Sequence, residues 1–101
     1  MIARTWQGWA TPAKAGDYRR HFETDVAAHL RTVPGFRGAR LLSTRDGDEV
    51  RFTTVTFFES MDAVRGFAGD SPDLAVLEED ARRALRHWDE RVTHHEVLAE
   101  I

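Results

Sequence analysis

The 101-residue chain has no cysteine and no asparagine, one lysine, one tyrosine and three prolines. Without thiols there is no disulfide, no thiolate metal site and no cysteine nucleophile, so the redox compartment leaves no mark on the sequence. Apolar runs are short and interrupted by charge, well below the roughly 20 residues of a membrane-spanning helix. No basic segment followed by an apolar stretch opens the chain, and the expectation is a cytoplasmic protein with no membrane partner. Positive charge is not in excess either. A net charge of -3 argues against a nucleic-acid partner, because affinity for phosphate backbones needs concentrated positive charge. Arginines dominate the 14 basic residues, but they are scattered among 17 acids, which points to biased composition rather than a phosphate site. No Gly-rich phosphate loop, GxGxxG or Walker sequence is present, so no nucleotide cofactor is signalled.

What is present is one domain, residues 1–101, of a size at which pairing with a second copy often supplies part of the stability. Ile2 to Trp9 reads as a strand, and Thr11-Pro12 supplies a cap and a first-turn proline for a helix. Along that helix Ala15, Tyr18, Phe22, Val26 and Leu30 form an apolar stripe, while Lys14, Asp17, Arg20, His21 and Asp25 are assigned to the other faces. Pro34-Gly35 ends it. Phe36 to Arg45 and Glu49 to Phe58 are strands joined through Asp46-Gly47-Asp48, a hairpin signature. Ser60 caps a short helix carrying Met61, Val64, Phe67 and Ala68 on one side, closed by Gly69. Ser71-Pro72 is expected to open a third helical stretch through Leu74, Leu77, Ala81, Leu85 and Trp88, with a possible break at Glu78-Glu79-Asp80, before a last strand Val92 to Ala99.

The order βαββαβ gives an α+β, ferredoxin-like fold: a four-stranded antiparallel sheet with helices on one face and, as first expected, its two central strands parallel. In Glu49 to Phe58, Val50, Phe52 and Phe58 alternate with Val55 and Phe57, so apolar groups leave both faces and the uncovered face calls for a second copy. RNA-recognition modules share this order, but Arg51 to Phe58 lacks their glycines and aromatic spacing, and the chain is acidic.

Five aromatic and polar residues stand out. His94 and Glu96 share a strand face and His95 takes the opposite one, so one of the two histidines must face the helices. A carboxylate beside His94 would raise its basicity and suit it to proton abstraction; a structural hydrogen bond is the plainer use of the same pair. As a zinc site the pair lacks third and fourth donors at any recognisable spacing. Arg4 and Trp6 share a face of the first strand, where they could line an aromatic pocket and hold an anionic oxygen, or Arg4 could pair with Glu96.

The strand end Phe57-Phe58, the Ser60 cap, the helix ending Phe67-Ala68-Gly69 and the closing Val92-Thr93-His94-His95-Glu96-Val97-Leu98, flanked by Met1-Ile2-Ala3-Arg4-Thr5-Trp6 and Val33-Pro34-Gly35-Phe36-Arg37-Gly38, resemble the antibiotic biosynthesis monooxygenase family of dimeric α+β barrels. The resemblance implies a homodimer with sheets packed face to face and a cofactor-independent oxygenase acting on a planar aromatic, anthrone or phenolic, substrate. Candidate catalytic residues are then His94, His95 and Glu96; candidate substrate-binding residues are Arg4, Trp6 and Phe67; no metal and no cofactor are expected. The alternative is a non-catalytic dimer that binds a small ligand or is purely structural. The haem-degrading branch is marked by a first-strand Asn, a Trp where Phe67 stands and a His near Leu77. With no Asn in the chain, haem degradation is not expected. The family's closing strand typically has Tyr where His95 stands.

Overall fold

The computed structural model describes residues 1–101, with strands β1 (Ile2–Ala10), β2 (Phe36–Asp46), β3 (Glu49–Phe58), β4 (His87–Trp88) and β5 (Thr93–Glu96). The sheet runs β2-β3-β1, and both β4 and β5 pair with the free edge of β1, so the fourth strand of the ferredoxin-like arrangement is split into two short pieces. All pairings are antiparallel, including that of the central strands β1 and β3. This corrects the parallel expectation: a crossover from β1 to β2 makes those two parallel, and the hairpin then reverses β3 before it lies beside β1. The hairpin turns through Gly47, whose φ of +61° suits the primed turns that match strand twist.

The first helix is α1 (Ala15–His21) and α2 (Ala27–Arg31), joined by a π-helical turn, Phe22–Val26. The sequence explains the turn. Tyr18, Phe22, Val26 and Leu30 recur every four residues, and at 3.6 residues per turn such a stripe drifts by about 40° a step. One extra residue taken up in a π turn cancels most of that drift and keeps the stripe against the sheet. The same turn draws in His21, which is buried rather than exposed on the far face as the plain helical pattern suggested.

Ser60 Oγ accepts from the Ala63 N–H at 3.2 Å to start α3 (Met61–Ala68), which buries Val64, and the Gly69 N–H returns to Arg65 O at 2.8 Å. Beyond it the expected third helix shrinks to α4 (Glu79–Ala84). Residues 71–78 form an irregular segment held by Ala75 N–H to Glu90 O and Val92 N–H to Asp73 O. Trp88 therefore lies on β4 opposite Gly8, not on a helix, and the closing strand ends at Glu96 rather than Ala99. Gly8 suits the close packing there, since a Cβ would lie 3.0 Å from both the Trp6 ring and Leu85.

Helices cover one face of the sheet. Against it sit two apolar clusters, one built on Trp6, Ala10, Tyr18, Phe52 and Leu85, the other on Leu30, Val33, Phe58 and Val64. No helix is long and apolar enough to cross a membrane.

Candidate functional site

Strand alternation sends Arg4 and Trp6 of β1 and Thr54 and Thr56 of β3 toward the helices, in register as Arg4 opposite Thr56 and Trp6 opposite Thr54. Between the two apolar clusters these side chains meet Tyr18, His21 and Phe22 of the first helix, Phe67 of α3 and residues 75–78, and together they line one cavity. The enclosed space is about 60 Å³, opening into a recess of about 630 Å³ if the solvent space at its mouth is counted. The smaller figure describes what the walls now hold, a few water molecules; drug-sized ligands occupy roughly 300–1,000 Å³.

The buried polar side chains of the chain are Arg4 (5% exposed), His21 (6%) and Thr56 (6%), and all three line this cavity. Arg4 donates from Nη1 to Pro72 O and from Nη2 to Leu74 O at 3.0 Å, and its Cζ lies 5.8 Å over the Phe67 ring. No carboxylate forms an ion pair with it. Burial lowers its pKa to about 10, partly offset by Asp73, so it stays a cation at neutral pH with its charge met by carbonyl dipoles and an aromatic face.

His94 does face the helices, but outside the cavity wall. Its Nε2 is 3.0 Å from Arg4 Nη1, and Asp73 Oδ1 is 3.7 Å from Nδ1. A guanidinium can only donate, so Nε2 spends its lone pair on Arg4. Burial and the Arg4 charge, with a smaller push from His95, hold the imidazole below its ordinary range against the opposing pull of Asp73. The expected tuning of His94 by Glu96 is not what the structure shows. Glu96 lies opposite Ile2 and is exposed, and neither His94 nor Arg4 bonds to it. His95 opens onto the other sheet face, where its Nε2 is 3.0 Å from Thr5 Oγ1. Of the six residues singled out in the sequence, the cavity thus gathers Arg4, Trp6 and Phe67.

The residue missed by the sequence pattern is His21. Its Nδ1 lies 3.1 Å from Asp25 Oδ2, one helical turn on, while Nε2 is buried with no partner. Leaving such a group unpaired costs roughly 1–3 kcal/mol. Tyr18, which read as plain core, also reaches the wall; its ring packs 4.9 Å from Phe52, and burial pushes its phenol above the ordinary range. The signal for both was the spacing of four along the helix, which implies the π turn.

Comparison with known proteins fits this architecture. The family model for antibiotic biosynthesis monooxygenase matches residues 1–72. The chain belongs to the antibiotic biosynthesis monooxygenase family. No curated protein matches it. Among solved structures it is similar to the haem degrader MhuD of Mycobacterium tuberculosis, with a TM-score of 0.67 and 22% identity over 100% of this chain and 99% of that one. It is also similar to SnoaB, a cofactor-independent oxygenase from Streptomyces nogalater, with a TM-score of 0.63 and 19% identity over 99% and 96% of the two chains. A dimeric ferredoxin-like protein from an uncultured marine organism gives 0.60 at 10% identity, over 100% and 98%. At these identities the likeness is one of fold.

At Leu77, near where the haem-degrading branch carries its iron-ligating His, the side chain offers no donor, although His21 and His29 both stand in the wall. His21, Asp25 and Glu78 bring ligand atoms within 4.8 Å of one another, but the two carboxylates are exposed, where such proximity is ordinary.

Proposed function

We propose that this family member is a homodimeric, cofactor-independent monooxygenase acting on a planar aromatic substrate of anthrone or phenolic type. The observation that carries the proposal is the convergence of the buried polar side chains Arg4, His21 and Thr56 on one cavity walled by Trp6, Tyr18 and Phe67. Buried polar groups without full satisfaction are costly and concentrate at working sites. The aromatic wall suits a flat ring, and Arg4 supplies fixed positive charge for an oxygen that becomes anionic when the substrate loses a proton. The resulting carbanion is electron-rich enough to reduce oxygen itself, so the protein contributes desolvation, orientation and a proton acceptor. The overall change is R₂CH₂ + O₂ → R₂C=O + H₂O, with one oxygen atom in the product and one in water. His94 acts here on Arg4, fixing the guanidinium through Nε2, rather than on the substrate. Residues 75–78 form part of the wall of a recess that is open to solvent at its mouth, through which a ring would enter.

Dimerisation covers the open sheet face, where Val55, Phe57 and Trp9 lie half-buried and Leu42 is exposed. The small enclosed volume favours one other reading, a dimeric binding or structural module without turnover. Oxygen uptake with anthrone in metal-free and flavin-free buffer separates them. One oxygen consumed per anthrone supports the oxygenase; binding without uptake, or uptake only after flavin or metal is added, overturns it.

A further inference from the structure

We infer that His21, oriented by Asp25, is the group that accepts the substrate's proton, an inference that rests on the oxygenase reading. His21 separates two recesses: the cavity on one side and, on the other, a polar hollow that contains Asp25. A carboxylate accepts hydrogen bonds and cannot donate them when ionised, so the 3.1 Å contact with Asp25 assigns the ring proton to Nδ1. Nε2 is then a bare lone pair on the side of the ring away from Asp25, buried and with no partner in the protein. The closing-strand histidines offer nothing comparable, since Nε2 of His94 is spent on Arg4 and His95 lies on the other face.

The π turn explains how the pair is built. It begins just after His21, whose side chain is buried, and carries Asp25, whose carboxylate lies on the outer surface. The charged and titratable groups that share the two recesses with His21 are Lys14, Asp17, Arg20, Asp25 and His29 from its own helical stretch, Glu78 from the segment before α4, Asp80 and Arg83 on α4, and Arg4 and Tyr18 in the cavity wall. In the reaction the substrate C–H bond breaks, its electron pair passes through the ring to the oxygen beside Arg4, and the proton goes to Nε2. Asp25 stabilises the imidazolium. The carbanion then bonds to O₂, which it reduces to the peroxide level, and the proton on Nε2 passes to the peroxide oxygen; loss of the second C–H proton, again to Nε2, with cleavage of the O–O bond gives the carbonyl and a hydroxide that takes this proton to leave as water.

Two measurements test this, one of which does not depend on turnover. In ¹⁵N-histidine-labelled protein at neutral pH, His21 is expected as the Nδ1–H tautomer, and titration with 1-naphthol is expected to shift its Nε2 resonance. The Nε2–H tautomer, or an unmoved resonance while calorimetry shows naphthol bound, overturns the inference. For catalysis, His21→Leu is expected to lower kcat with anthrone about 100- to 10,000-fold. Its urea midpoint should be unchanged or higher, because an unpaired buried acceptor has been removed. His21→Ala should regain rate with added imidazole, and Asp25→Asn, at an exposed position, should lose rate without loss of fold. Wild-type rates in His21→Leu sink this inference and leave the oxygenase intact. No oxygen uptake by the wild type sinks the oxygenase and the proton-transfer step with it, while the tautomer and the naphthol response still decide whether His21 is the acceptor of a binding site.

Discussion

On the covered face of β3, Phe52 and Phe58 are 4% and 0% exposed, while Val55 and Phe57 on the opposite face of the same strand remain half-buried. The open face places most of its hydrogen-bonding side chains in local pairs, Thr5 with His95, Gln7 with Thr53 and Trp9 with Asp46, and leaves Arg51 Nε buried without a partner. The covered face buries Arg4, His21 and Thr56 and leaves His21 Nε2 without a partner. Half-buried apolar groups among locally paired polar ones suit a face that another surface covers. Buried polar groups lining a recess suit a face that receives a small molecule. Under the proposed function the two sides of the sheet serve association and chemistry separately, and substitutions on them should have separable consequences.

The largest expected effect is on the open face. Val55→Asp or Phe57→Asp would bury an unpaired charge between two copies, at a cost of several kcal/mol, enough to abolish association at micromolar concentration. Sedimentation equilibrium should show wild-type dimer and variant monomer, with far-ultraviolet circular dichroism unchanged. A wild type that is monomeric, or variants that remain dimeric, would remove the assignment of this face to a second copy.

Neighbouring phenylalanines give a finer contrast. Phe58→Ala empties a fully buried site between Phe36 and Phe67 and should cost about 3–5 kcal/mol of unfolding free energy. Phe57→Ala, one residue away but on the open face, should cost the isolated protomer roughly 1 kcal/mol or less and show itself mainly as weaker dimerisation. Urea unfolding at protein concentrations where both variants are monomeric reads the difference, and equal losses would mean that the two faces are not distinct in the protomer.

How much of this was legible in the sequence divides along the chain. Through Gly69 the punctuation is strong: Pro34-Gly35, Asp46-Gly47-Asp48 and the Ser60 cap each force a local conformation, and the elements fall between them as expected, except that the first helix starts at Ala15 after a turn, with no side-chain cap from Thr11. Arg4 and Trp6 reach the cavity because strand period alone fixes their side, and Phe67 because a capped eight-residue helix leaves little freedom of phase. From Ser71 onward the pattern misled. Leu74, Leu77, Ala81, Leu85 and Trp88 have helical spacing, yet Ala75 N–H donates to Glu90 O, Asp73 O accepts from Val92 N–H, and Arg4 takes the carbonyls of Pro72 and Leu74. A tertiary demand from a buried cation overrode a local periodicity, and no single-sequence signal carries that. The parallel central strands were an error of topology rather than of missing information. His21 was readable, since a spacing of four sustained from Tyr18 to Leu30 cannot stay on one face of a regular α-helix.

The smallest expected effect concerns His94, the closing-strand histidine on the covered face. Its Nε2 accepts from Arg4, so protonation would both break that contact and place a second cation beside the guanidinium. Burial first, then Arg4, then His95 hold its pKa below the ordinary imidazole value of about 6.5, despite Asp73. The native state consequently takes up this proton at lower pH than the unfolded chain. In the window below about 6.5 the unfolded state binds more protons, so stability falls as pH falls and levels off once His94 is protonated in both states. Above that window the His94–Arg4 contact contributes in full. His94→Gln keeps an acceptor for Arg4 but does not titrate, and should retain most of the neutral-pH stability while losing part of the acid dependence. Urea midpoints at neutral pH and at pH values stepped downward through the imidazole range provide the comparison. If the variant loses stability with acid as steeply as the wild type, His94 does not carry the contact in solution, and Arg4 must be held by the carbonyls of Pro72 and Leu74 alone.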